Sequence, residues 1–312
     1  MLPMIVSVKS AAWREQRHSP AMRPLDITAA AAVIVIWGTN FVVAKIGLAQ
    51  FPPLLMTALR FSVAALVLAP FLKPVGRSKS EIFIVSMTMG TIHFGLMFTG
   101  LSGVAAGTAA LTAQLYVPFS IILACIAFGE RMNMRQTTGM VLAFAGVAIL
   151  GGAGGGETSL VHLSMVVAGA FMFALGNILV KRLGPLNPFV LNAWVTLLAA
   201  PQLLAVSLAL EDGHWAAFTN ADWRGWGAVL FLGFVATVAG LALWYRLLGR
   251  YPVNRVVPLS LLGPVMAVFV AAAVLDEPLG LRTIGGGLIT IAGVAIVQLL
   301  GTRATAAKVL LS

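Results

Sequence analysis

The sequence predicts an all-α integral membrane protein: ten transmembrane helices, built as two inverted five-helix repeats, with both termini cytoplasmic. Four observations lead there. Of 312 residues, 60% are hydrophobic and 10% charged, whereas a soluble domain carries about a quarter charged residues. Apolar runs near the ~20 residues that span a bilayer recur through most of the length. Residues 130–149 (ERMNMRQTTGMVLAFAGVAI) and 277–296 (EPLGLRTIGGGLITIAGVAI) share eight of twenty positions at an offset of 147, among them Glu130/Glu277, Arg135/Arg282 and Gly139/Gly286. Finally, with the N-terminus in the cytoplasm, 16 of the 20 Lys and Arg residues fall in cytoplasmic segments, the bias that sets membrane topology.

The elements follow in order. Residues 1–26 read as a polar cytoplasmic leader, because too few apolar residues precede Lys9 for a signal peptide. The first helix, 27–45, contains WGTN: Trp37 to stack on a substrate, and Thr39 and Asn40 as polar groups inside the membrane. Such groups are costly there and are functional candidates by default. The second, 53–72, opens on a proline pair and carries Arg60 about 10 Å further along. The third, 82–101, holds His93, the one histidine deep in a helix, which could bond substrate, titrate, or simply be a satisfied interior group. The fourth, 107–128, offers Gln114 and Tyr116 just before Pro118, and the ninth, 256–275, offers Ser260 before Pro264. A proline within a span frees a backbone carbonyl, so Pro118 and Pro264 are expected to bend helices and shape a wall.

The fifth helix, 137–150, is short and needs its flanks to span; Gly139 and Gly146 give it a small-residue face, repeated by Gly286 and Gly293 in the tenth, 283–300. Such faces let helices approach closely, within one chain or between two, and the oligomeric state stays open. A Gly-rich linker, 151–159, separates the repeats (27–150 and 160–300). The sixth helix, 160–181, places Asn177 where the first has Asn40. The two amides either bond a substrate's ammonium and carboxylate or tie helices together. The seventh and eighth, 189–210 and 225–245, complete the second copy before a cytoplasmic tail, 301–312.

Five crossings are an odd number, so the second copy enters the membrane from the opposite side. Inverted repeats are the construction of secondary transporters, with a site near the midplane where the copies meet. The combination of WGTNF, the Pro…Arg-Phe pattern (Pro52, Pro53, Arg60, Phe61) and the twin Glu…Arg…Gly…AGVAI endings resembles the EamA family of the drug/metabolite transporter superfamily, most like its YddG-type bacterial amino-acid exporters. The resemblance covers about residues 27–300. It implies alternating access and export of amino acids or related metabolites across the bacterial inner membrane. The family pattern also has a basic residue at Arg60, in a helix not expected to line the cavity, which favours a structural role for it.

Other classes fit poorly. The net charge of +10 follows topology and forms no nucleic-acid patch. The lone Cys125 precludes an internal disulfide, and neither a cofactor nor a metal is expected. The GLSG at 100–103 lacks a histidine base within reach of Ser102, so an intramembrane enzyme is disfavoured. No Asp or Glu lies in the middle of a span. Facilitated export is therefore the simplest energetic reading, with proton coupling through His93 second. The expected partners are a small-molecule substrate and the lipid bilayer.

Overall fold

The computed structural model describes residues 22–76, 78–129, 131–152, 159–184 and 186–300. The expected leader before residue 22, most of the linker and the tail lie outside the described residues. Among those described, ten helices are long and apolar enough to cross a membrane: α1 (Pro24–Leu48), α2 (Pro53–Phe71), α3 (Lys79–Ser102), α4 (Ala106–Phe128), α5 (Met134–Gly152), α6 (Leu160–Leu183), α7 (Pro188–Leu210), α8 (Trp223–Leu248), α9 (Val257–Leu275) and α10 (Leu281–Leu299). Below, the near face is the one where α1 begins and α10 ends. Every boundary lies within three residues of the sequence expectation. α5 recruits its flanks to reach 19 residues, or about 28 Å, enough for a hydrocarbon core of ~30 Å.

Local chemistry sets the ends. Pro24, Pro53 and Pro188 occupy first helical positions, where a missing N–H costs nothing. Asn187 Oδ1 accepts from the Phe189 N–H at 2.9 Å and Asp222 Oδ1 from the Arg224 N–H at 2.8 Å, capping α7 and α8. Gly129 and Asp276 end α4 and α9 in the left-handed region, φ +67° and +54°, and they stand 147 positions apart. The same offset relates two irregular stretches that periodicity did not foresee, a π-helical turn at Ser86–Ile92 in α3 and another at Phe231–Ala239 in α8.

Two pairs of corresponding helices pack closely across the two halves. α5 and α10 cross antiparallel along the small face: Gly139 lies against the carbonyl of Gly293, and Gly146 against Gly286 and Thr290. The glycine stripe is thus an interface within one chain. α2 and α7 pack likewise, through Ala58 and Phe61 against Ala199, Ala200 and Leu203. At the far face the second repeat caps two helices of the first. Glu277 accepts from the Ala106 and Gly107 N–H groups at 2.6 and 3.1 Å, and Glu211 from those of Leu54 and Leu55 at 2.8 and 3.0 Å. These carboxylates satisfy orphan donors at the starts of α4 and α2 and meet the positive ends of their dipoles.

Candidate functional site

Aromatic rings form a continuous run through the middle of the bundle. Tyr116 on α4 meets Phe173 on α6 edge-on at 5.3 Å between centroids, and Phe173 lies 4.9 Å from His93 on α3. His93 in turn contacts Phe94 at 4.4 Å. The structure therefore brings together two sequence candidates, His93 and Tyr116, through a phenylalanine that sequence reasoning passed over. His93 is buried, and its Nδ1 donates to the Gly169 carbonyl at 2.8 Å, which fixes the ring against α6.

Trp37 belongs to a second cluster. Its Nε1 donates to the carbonyl of Ala236 at 3.3 Å, inside the π-helical turn of α8, and its ring lies 5.2 Å from Trp244. Gly240 makes the approach possible, since a Cβ there would fall 2.7 Å from Trp37 Nε1. Trp244, near the end of α8, is thus a partner of Trp37. Ser260 joins them around a small cavity of about 10 Å³, while its hydroxyl donates to the Val257 carbonyl at 2.7 Å. Thr39 turns its hydroxyl onto its own helix, donating to the Val35 carbonyl at 2.7 Å.

Three amides have a different character. Asn40, Asn177 and Gln114 are half-buried, and none makes a side-chain hydrogen bond among the described residues. Interhelical ties would require such bonds. Two of these amides, Asn40 on α1 and Asn177 on α6, thus lack a side-chain partner among the described residues. Gln114 marks the break in α4: Pro118 has no N–H to offer, and the Val117 N–H reaches the Gln114 carbonyl instead at 3.0 Å. In α9 the residues before Pro264 form a 3₁₀ turn, Val257–Leu261, at the corresponding place. Both prolines are buried.

Arg60 is the least expected feature. It is 3% exposed, with its guanidinium carbon 5.4, 4.9 and 5.1 Å from the ring centroids of Phe61, Phe94 and Phe98. One hydrogen bond, from Nη2 to Thr237 Oγ1 at 3.0 Å, links it to α8.

The two faces are closed differently. At the near face Asp26, 1% exposed, receives Arg250 at 3.1 Å, Arg246 at 3.3 Å and the Tyr251 hydroxyl at 2.9 Å, tying α1 to the end of α8. The sequence signal was an acidic residue within a basic-rich face; only folding brings Arg246, Arg250 and Tyr251 onto it. At the far face Lys45 donates to the carbonyls of Leu101 and Ser102, at 2.9 and 3.3 Å, and to that of Val104. Beside it opens a pocket of about 700 Å³, lined by Lys45, Thr108, Val268, Glu277 and Arg282 among others, within the size range of small-molecule sites. Ser102 forms no catalytic pair: its hydroxyl donates to Thr99, and His162 bonds Ser159.

Comparison with known proteins agrees with this architecture. A probable amino-acid metabolite efflux pump of Escherichia coli is 35% identical over 277 residues, covering 85% of this chain and 92% of the pump. A probable terminal-alkyne amino-acid exporter of Streptantibioticus cattleyicolor is 28% identical over 282 residues, covering 86% and 91%. A solved structure described only as "Crystal structure of protein" superposes with a TM-score of 0.63 at 18% identity, covering 91% of this chain and 99% of that one; it speaks to the fold alone. The model of the EamA-like transporter family matches twice, over residues 25–152 and 161–299. With nearly all of both five-helix units matched, the chain belongs to the EamA-like transporter family and is a multi-pass membrane transporter.

Proposed function

We propose that this transporter exports amino acids, neutral and aromatic ones above all, or closely related metabolites across the bacterial inner membrane by alternating access, without coupling to an ion. The basic residues orient the near face toward the cytoplasm. The observation that carries the reading is the matched pair of unbonded amides, Asn40 and Asn177, the latter one helical turn from Phe173 in an aromatic run at mid-depth. Amides and rings without a fixed acid suit a zwitterion with an apolar side chain. A phosphorylated solute would need several basic clamps. The named activities of the E. coli and Streptantibioticus relatives point the same way.

On this reading the near face is shut by the Asp26 cluster and the Trp37–Trp244 contact, and the 700 Å³ pocket is the outer vestibule. Transport then exchanges which end of the bundle is closed. The facilitative mode rests on two facts. No carboxylate lies in the middle of a span. His93, the remaining candidate for a proton, is buried against Phe94 and Phe173 with Nδ1 already committed. Counterflow of a panel of amino acids in proteoliposomes, with and without a pH gradient, tests both parts. The expected result is exchange of neutral and aromatic amino acids at rates independent of the gradient. Exchange that requires the gradient would favour the proton-coupled reading, and no exchange of any amino acid would end the substrate assignment.

A further inference from the structure

Arg60 poses a physical problem that the packing does not solve. A guanidinium carries five N–H groups in a plane, and here it makes one hydrogen bond, to Thr237. Its Nε and Nη1 are buried without an acceptor. An uncompensated buried cation is among the most unfavourable features a fold can carry. The three phenylalanine rings answer part of the cost, because their faces attract a cation. A ring face, however, does not accept the in-plane N–H groups, which continue along the plane of the guanidinium. No Asp or Glu of this chain is available at mid-span to receive them.

The surroundings hold that arrangement in place. The Thr237 hydroxyl spends its own proton on the Leu232 carbonyl at 2.7 Å, so toward Arg60 it can only accept. Thr237 belongs to the π-helical turn Phe231–Ala239, and the matching turn Ser86–Ile92 immediately precedes His93 and Phe94 on α3. Turns of this type recur at functional sites. Gly233 lets α8 close on α2 at this level, since a Cβ there would lie 2.6 Å from the Arg60 carbonyl. The guanidinium thus stands at one end of the aromatic run, with Phe94 touching both it and His93.

We propose that Arg60 is the carboxylate-binding group of the substrate site: the transported amino acid supplies the anion that the chain itself lacks. Its carboxylate would take the free N–H groups of Arg60, and its apolar side chain would lie along Phe94, Phe173 and Tyr116. Thr237 orients the guanidinium and leaves both of its forks with a free N–H. Planar, two-point recognition of a carboxylate is what arginine does better than lysine. The assignment rests on the amino-acid transport reading and adds to it the group that discriminates acids from their neutral derivatives.

The test uses purified full-length protein in proteoliposomes, preloaded with L-phenylalanine, L-leucine or L-alanine. Counterflow is read with each amino acid outside and with its amide, which keeps the ammonium and side chain but lacks the carboxylate. Wild type is expected to prefer the acids by about 100-fold or more, as expected when a buried charged donor loses its partner. Arg60→Lys, which keeps the charge but not the fork, is expected to lose about tenfold of that preference, and Arg60→Gln nearly all of it. Wild type exchanging acid and amide equally would overturn the proposal whether or not any variant folds. Arg60 variants that keep the wild-type preference would also overturn it, leaving the transport reading intact. Failure of wild type to exchange any of the amino acids would remove the transport reading, and this assignment with it.

Discussion

Substituting Gly146 by alanine adds one methyl group to a helix that packs on α10 with no room for it. A Cβ at position 146 would stand 2.5 Å from the Thr290 backbone nitrogen and 2.6 Å from the Gly286 carbonyl oxygen. Ordinary contact begins near 3.4 Å, so the backbones must separate by close to an ångström. Neither obstacle is the tip of a flexible side chain, and the strain falls on the helix pair as a whole. Overpacking of this kind costs about 1–3 kcal/mol, reduced by the roughly 1 kcal/mol that alanine gains over glycine in a helix. The same antiparallel seam contains its own control. Gly285, one residue before Gly286, would place a Cβ in open space, so Gly285→Ala collects the propensity gain with no clash. Thermal unfolding of the purified variants in one detergent separates the two effects. Gly146→Ala is expected to melt several degrees below wild type and Gly285→Ala at or slightly above it. Equal shifts would refute the close α5–α10 contact and the pairing of the two halves built on it. A melting point of Gly146→Ala that depends on protein concentration would place the seam between chains instead.

Four other outcomes follow from the geometry. Trp37→Ala and Asn40→Ala are expected to reduce counterflow at least tenfold while leaving the melting temperature within a few degrees, because neither side chain is in the packed core; wild-type rates in both would move the site elsewhere. Asp26→Asn removes the charge that holds Arg246 and Arg250, and since both arginines are partly exposed its effect is screened by solvent. The expected outcome is a shift toward a near-face-open state, read as faster maleimide labelling of Ser260→Cys in a Cys125→Ala background. Glu277→Ala leaves the Ala106 and Gly107 N–H groups without their carboxylate and is expected to cost about 1–2 kcal/mol of stability. Asp222, outside the spans, is held below its ordinary value of 3.8, first by the Gln50 side chain and then by the Arg224 N–H. Its contribution is therefore full above pH ~4 and lost as pH falls through the lower, folded-state value. The difference in melting temperature between wild type and Asp222→Asn should shrink only in acid.

Much of the fold could be read from the sequence because hydrophobic length and basic-residue placement are one-dimensional properties. Helix boundaries, the number of spans and the matched glycines all survive without coordinates. The irregular turns at Ser86–Ile92 and Phe231–Ala239 do not, since a π-helical turn has no composition of its own; it reflects how α3 and α8 settle against their neighbours. The site divides the same way. Polar residues inside spans, such as Asn40, His93 and Asn177, stand out by their cost. Phe173 does not, because one phenylalanine among 17 carries no mark in a chain that is 60% hydrophobic. Trp244 sits close to a helix end, where aromatic belts are common, and only folding sets it against Trp37. For Arg60 the family resemblance pointed toward a structural partner, yet the fold offers it a hydroxyl and three rings but no acid.

That last contrast says where recognition resides in a duplicated chain. Features shared by the two repeats, such as the glycine seam, the π-helical turns and the left-handed ends at Gly129 and Asp276, concern how helices pack and pivot. The chemically distinctive residues have no such counterpart. Aligned helix by helix, at offsets of 135, 147 and 137 residues, Arg60 is matched by Val195 in the second repeat, His93 by Gly240 and Trp37 by Ala174. A scaffold with two equivalent halves accounts for closing either end at similar cost, but a solute with an acid end, a base end and a side chain has no twofold of its own. Its binding groups must differ between the halves. Asn40 and Asn177 are both polar and matched between the two repeats, and they are also the groups that either end of a zwitterion could use, since an amide both donates and accepts. On this reasoning exchanging Asn40 and Asn177 for aspartate, one at a time, should give unequal losses, because only the amide nearer the carboxylate would meet a like charge. Equal losses would mean that the solute binds without a fixed direction, and the placement of its acid at Arg60 would fall.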